Sequence, residues 1–88
     1  MKDFAIVILN WNGKNLLKKF LPFLVKYSAD ATIYLADNAS TDDSISFVND
    51  YYPMVKIIKN NDNFGYAKGY NESLKQVSEK YLCLINSD

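Results

Sequence analysis

The stretch Phe4-Ala5-Ile6-Val7-Ile8-Leu9, running into Asn10-Trp11-Asn12-Gly13, decides how this chain is read. Six apolar residues without alternation predict a strand covered on both faces, as in a parallel sheet. The run ends at Asn10, far short of the roughly 20 residues that span a bilayer. No small-residue cleavage pattern follows it. A soluble cytoplasmic domain is the expectation.

Three further runs share this character: Thr32–Ala36, Val55–Ile58 and Tyr81–Ile85. Helical spacing fills the gaps between them. Leu16, Leu17, Phe20, Leu21 and Leu24 mark a helix over Lys14–Tyr27, with Pro22 predicting a kink or break near Phe20–Leu21. Ile45, Val48 and Tyr51 mark a second helix over Thr41–Tyr51, stopped by Pro53. Ser40 or Thr41 would cap it, with Asp42 and Asp43 in its first turn. Tyr66, Ala67, Tyr70, Leu74 and Val77 mark a third helix over Gly65–Ser78, entered from the Asn60–Asn63 loop. Strand and helix alternate throughout. That order predicts an α/β fold of three layers, an open parallel sheet with helices on both faces. One domain is expected, since nothing divides the 88 residues.

Composition narrows the function. Ten basic and ten acidic residues balance to zero, so there is no electrostatic footprint for nucleic acid. The chain has no histidine, which removes His-based triads and His metal sites. Cys83, the single cysteine, lies in an apolar run and is expected to be a buried thiol. Only Gly13, Gly65 and Gly69 are glycines. Neither a dinucleotide fingerprint nor a P-loop is present.

Ligands of open parallel sheets bind beyond the carboxyl ends of the strands. Here those ends read Asn10-Trp11-Asn12-Gly13, Asp37-Asn38-Ala39-Ser40, Asn60-Asn61-Asp62-Asn63 and Asn86-Ser87-Asp88. Asn and Asp are ordinary turn formers, but four such ends on one rim point to a shared polar site. Trp11 is placed either to stack on a base or to pack in the core. Asp37 is either an acceptor for the imide N–H of a uracil or thymine ring or a cap for the next helix. Near Asn63 and Gly65 the third helix offers free N–H groups to an anion or sugar hydroxyl. Lys68, in its first turn, either neutralises phosphate or is merely solvated. Asn86 and Asp88 form an oxygen-donor pair suited to Mg²⁺ or Mn²⁺ on a diphosphate.

These blocks, in this order, resemble the N-terminal nucleotide-binding part of the inverting glycosyltransferase family 2, of GT-A fold. The likeness is carried by Ile6–Gly13, Leu35–Ser44, Asn63-Phe64-Gly65-Tyr66-Ala67, Gly69-Tyr70-Asn71 and Leu84–Asp88, which together span nearly the whole chain. The resemblance implies strand order 3-2-1-4. It implies a donor site with Asn10 and Trp11 at the base, Asp37 binding it, and Asn63–Asn71 flanking the sugar nucleotide. Asp88 would ligate Mg²⁺ or Mn²⁺ as the last residue of a DxD-like motif whose first position is Asn86. The donor would be a nucleotide-diphosphate sugar, UDP or dTDP favoured. The acceptor would be a glycan or lipid-linked glycan, as in polysaccharide biosynthesis, at the cytoplasmic face of the membrane in the parent enzyme. The catalytic base of the family lies past this motif, so residues 1–88 are expected to be a donor-binding subdomain truncated there and inactive alone.

A non-catalytic α/β module is the alternative. A phosphoreceiver would need an acidic cluster after the first strand and an aspartate after the third, where Asn10-Trp11 and Asn60-Asn61 stand instead. In order 3-2-1-4 the fourth strand is an apolar edge, and self-association through it is expected.

Overall fold

The computed structural model describes residues 3–87, the Tyr66 side chain excepted. The elements run β1 (Phe4–Asn10), α1 (Lys14–Tyr27), β2 (Ala31–Asn38), α2 (Ser44–Tyr51), β3 (Lys56–Asn60), α3 (Gly65–Leu74) and β4 (Tyr81–Asn86). All strand pairs are parallel, in the order β3-β2-β1-β4. Both the layered α/β class and the strand order match the sequence-based expectation.

The unbroken apolar runs have a simple cause. Side chains alternate across a sheet, so a strand covered twice must be apolar at every position. Ile6 and Ile8 of β1 join Ile33 and Leu35 of β2 under Leu17 and Leu21 of α1 and Val48 of α2. Ala5, Val7 and Leu9 join Tyr34, Ala36 and Ile58 on the other face, beneath Tyr70 and Leu74 of α3. Leu17 and Leu21, one helical turn apart, are fully buried. Truncating either to alanine costs about 2–5 kcal/mol.

Several local expectations are corrected. Pro22 neither breaks nor ends α1, which runs unbroken from Lys14 to Tyr27. Pro22 is exposed, and buried Leu17 and Leu21 hold the preceding turn to the sheet, so the missing N–H falls where it costs least. α2 starts at Ser44, not Thr41, and neither Ser40 nor Thr41 caps it. Those residues are engaged with β1 and its loop, while Asp42 Oδ1 accepts from the Ser44 N–H at 3.0 Å and from its hydroxyl. α3 stops at Leu74. Beyond it the chain tightens, Gln76 N–H donating to the Ser73 carbonyl and Val77 N–H to that of Leu74. This turn lets Val77 reach the core and Glu79 reach the Tyr34 hydroxyl, at 2.8 Å.

The largest correction concerns β4. Cys83 is exposed, not buried. Among the described residues β4 pairs only with β1, and α3 lies over β1, β2 and β3. Tyr81, Leu82 and Leu84 therefore remain 53%, 42% and 47% exposed. The Tyr81 ring stacks on Phe4 of β1, centroids 6.1 Å apart.

Candidate functional site

Each strand carries its polar terminal residue into the sheet. Asn10, Asn38, Asn60 and Asn86 are the last residues of β1, β2, β3 and β4, and Asp37 lies opposite Asn10 in the register. Buried polar groups demand partners. Among the described residues no buried side-chain nitrogen or oxygen lacks one.

Asn10 is the hub. Its amide donates to Asp37 Oδ1 at 2.8 Å and to Ser40 Oγ at 3.2 Å. Its Oδ1 accepts from the Gly13 N–H at 3.1 Å and from the Ser87 hydroxyl at 2.8 Å. All four hydrogen-bonding positions of a fully buried amide are filled. Gly13 is required here by space, since a Cβ would stand 2.5 Å from Asn10 Oδ1. A second amide group sits between β2, β3 and α3. Asn60 donates to Asn38 Oδ1 at 2.7 Å and to Ser73 Oγ at 3.0 Å, and Asn38 donates to the Gly65 carbonyl at 3.2 Å.

Between these groups opens a cavity of about 180 Å³, lined by Leu9, Asn10, Trp11, Asn38, Asn63, Gly65 and Asn86. Sites for whole drug-sized ligands run from about 300 Å³ upward. The cavity's volume lies below that range. Its described lining carries no charge. Trp11 is half exposed, so it is presented at the rim rather than packed in the core. Gly65 opens α3 with φ +71°, a conformation side chains rarely adopt, which keeps backbone at the cavity wall. A second hollow, of about 230 Å³, lies at the opposite end of the strands beside Ser28, Thr32, Met54 and Lys56. It is larger, and Val25, Ala29, Ala31 and Ile33 complete its described lining.

Of the residues singled out from sequence, Asn10, Trp11, Asn63, Gly65 and Asn86 line the cavity together. Asp37 does not. It is 1% exposed, its Oδ1 accepts from Asn10 and from the Ser40 hydroxyl (2.6 Å), and its Oδ2 accepts from the Ser40 N–H (2.8 Å). These bonds close the loop over Ala39, held at φ 58°. Asn38, beside it, faces the cavity. The reason is alternation: Leu35 and Asp37 point toward α1 and α2, Ala36 and Asn38 toward α3. That period was present in the sequence and would have selected Asn38. Lys68 is exposed, its Nζ lying 4.7 Å from the Phe64 ring centroid, and it lies outside the cavity lining, as does exposed Asn71.

Asp88, the expected metal ligand, lies outside the described residues. Among those described, no group of three or more acidic or cysteine side chains is placed to hold a metal ion. At the cavity only Asn86 offers a hard oxygen from the DxD-like motif, and its Oδ1 accepts from the Tyr70 hydroxyl at 2.8 Å. One neutral oxygen does not suffice for Mg²⁺ or Mn²⁺, which bind through carboxylates. The described residues do not by themselves fit the ion.

The profile of glycosyl transferase family 2 matches residues 5–88. No curated protein matches the chain. Among solved structures, the mannosyltransferase PcManGT from Pyrobaculum calidifontis, in complex with GDP-Man and Mn²⁺, superimposes with a TM-score of 0.85. It is 17% identical over 98% of this chain and 27% of that one. S. aureus TarS 1–349 in complex with UDP-GlcNAc gives 0.84 at 24% identity, over 100% of this chain and 27% of that one. Its complex with UDP gives 0.84 over 28% of that chain. At such identities the likeness is one of fold. The chain spans little more than a quarter of the length of these structures.

Proposed function

Because the chain belongs to glycosyl transferase family 2, we propose that its strand-end rim binds the nucleoside diphosphate part of a sugar donor, for transfer to an acceptor hydroxyl with inversion. The observation that carries the reading is half-exposed Trp11 at the lip of a neutral, amide-lined cavity. A flat ring stacks on an aromatic face, and amides supply both donors and acceptors to its edge. The complexes of the structural neighbours with UDP-GlcNAc and GDP-Man support this class of ligand. A UDP or dTDP sugar is the favoured donor.

In this reading Asn10 and Trp11 border the base and Asn38 faces it, while Asp37 acts from beneath by holding Asn10 and Ser40. Asn63 and Gly65 border the sugar and diphosphate, with Lys68 and Asn71 farther out along α3. Asp88 would supply the carboxylate that the described lining lacks, holding Mg²⁺ or Mn²⁺. When bound, such an ion supplies charge to the leaving diphosphate. No carboxylate lines the described cavity, and in this reading the base for an acceptor hydroxyl lies outside it. The reading is therefore of a donor-binding part, inactive alone, acting in the cytoplasm or at the inner face of the membrane. Among the described residues no helix is long and apolar enough to cross a membrane.

Calorimetry with UDP, dTDP and GDP in the presence of Mn²⁺ tests the binding. Heat with at least one nucleotide, lost in Trp11→Ala, is the expected result. Absence of heat with all three at millimolar protein sinks the proposal. Sugar transfer catalysed by these 88 residues would overturn the assignment as a donor-binding part only.

A further inference from the structure

Asn12 lies just outside the cavity, yet it joins two loops that sequence separates by about thirty residues. Its Oδ1 accepts from the Thr41 N–H at 2.7 Å and the Asp42 N–H at 3.0 Å. Its Nδ2 donates to Thr41 Oγ1 at 3.2 Å. Its own N–H donates to Ser40 Oγ at 2.9 Å. The residue sits at φ 53°, in the left-handed region that asparagine tolerates better than most. Two residues on, the Lys14 N–H donates to Asp42 Oδ2 at 3.3 Å, and its ammonium meets Asp43 at 2.7 Å.

These bonds clamp the β1–α1 loop to the β2–α2 loop directly beside Trp11. On one side of Trp11, Asn10 is fixed by its four side-chain bonds; on the other, Asn12 is fixed by the clamp. The indole ring itself is half exposed, so packing alone does not hold it. A ring that must meet a ligand gains affinity when its backbone is already ordered. We infer that Asn12 is a positioning residue of the donor site, holding Trp11 at the cavity lip by bonding the Thr41 and Asp42 backbone. The inference rests on the donor-binding reading above. It adds a residue that touches the ligand only through its neighbour.

The test uses Trp11, the chain's single tryptophan, as its own reporter. Asn12→Gly tolerates the left-handed φ and removes the side-chain bonds to Thr41 and Asp42, leaving the backbone bond to Ser40 and those of Lys14 in place. Asn12→Asp keeps both acceptor bonds. Time-resolved fluorescence anisotropy of the ligand-free proteins should show added fast ring motion in Asn12→Gly and its suppression in Asn12→Asp. For the nucleotide that the wild type binds, Asn12→Gly should raise Kd about tenfold, as when the competent loop arrangement falls to about a tenth of molecules. Its melting temperature should change little, because the bonds are at the surface. If the wild type binds no nucleotide, the donor reading fails, and anisotropy alone still judges the clamp. Unchanged anisotropy in Asn12→Gly overturns the inference, whether Kd is unchanged or rises together with a loss of melting temperature. The latter result assigns Asn12 to fold stability instead.

Discussion

Replacing Asn10 by aspartate should cause a loss of stability that grows as pH rises. The change is nearly isosteric, but it substitutes an oxygen for an amide nitrogen 2.8 Å from Asp37 Oδ1, in a fully buried position. Two carboxylates at that separation repel by about 6 kcal/mol at an effective dielectric of about 20. The folded variant will therefore hold one proton between them. Taking up that proton at pH 7, for a carboxyl of ordinary pKa about 3.9, costs about 4 kcal/mol, which caps the destabilisation. The protonated side chain can still donate to Asp37 and accept from Gly13 and Ser87. The folded pair thus titrates above its unfolded value, so its stability is present at acid pH and lost as pH rises. The deficit should shrink to about 1 kcal/mol near pH 4.5. Urea melts of wild type and variant at about pH 4.5 and 7.5 measure this, with fluorescence as signal. The double variant Asn10→Asp/Asp37→Asn, which restores one amide and one carboxylate, should recover most of the loss at the higher pH. A deficit that is equal at both pH values, or absent at pH 7.5, refutes the buried-pair reasoning.

Other perturbations probe separate parts of the structure. Gly69→Ala would set a Cβ 2.8 Å from Asn38 Nδ2 and 3.1 Å from Leu9 Cδ1; chemical denaturation should show a loss of about 1–3 kcal/mol, with weaker nucleotide binding as the cavity wall shifts. Burial, then its hydrogen bond to Glu79, pushes the Tyr34 hydroxyl up to about 12. Burial raises Glu79, but its bonds from Tyr34 and Thr32 outweigh this and hold its carboxyl below the usual range. The raised tyrosine contributes stability that is complete below pH 10 and lost as pH climbs toward 12, and the lowered glutamate contributes above its ordinary pKa of 4.5. Tyr34→Phe should cost about 1 kcal/mol at neutral pH and flatten the alkaline limb of a stability profile above pH 10. Self-association through β4 should appear in sedimentation equilibrium at high concentration and be abolished by Leu84→Lys, since a charge on an exposed apolar edge opposes pairing; a monomeric wild type would count against it.

The layered fold was legible because covering a parallel strand on both faces leaves a local mark, an apolar run with no alternation. Phe4–Leu9 carries that mark, and the polar residues that follow each run located the rim where ligands meet such sheets. Helix boundaries were less legible. Ser40 and Thr41 have the chemistry of helix caps, but their hydrogen bonds go to Asp37 and Asn12, and nothing in their local sequence declares that partnership. Pro22 was read as a kink or a break, and α1 runs past it without a break to Tyr27.

What the sequence determined by itself was periodicity and chemistry: a parallel α/β sheet, a rim of amides with one tryptophan, and the family to which the blocks belong. Tertiary structure decided where each polar residue lies and what it bonds. It buried Asp37 and put Asn38 at the cavity, exposed Cys83 on an edge strand, and joined Asn12 to Thr41 across 29 positions. Sequence patterns report on neighbours a few residues apart, within one strand or helix turn. Hydrogen bonds between loops depend on strand register and on which face a side chain leaves, and those are fixed only when the sheet assembles.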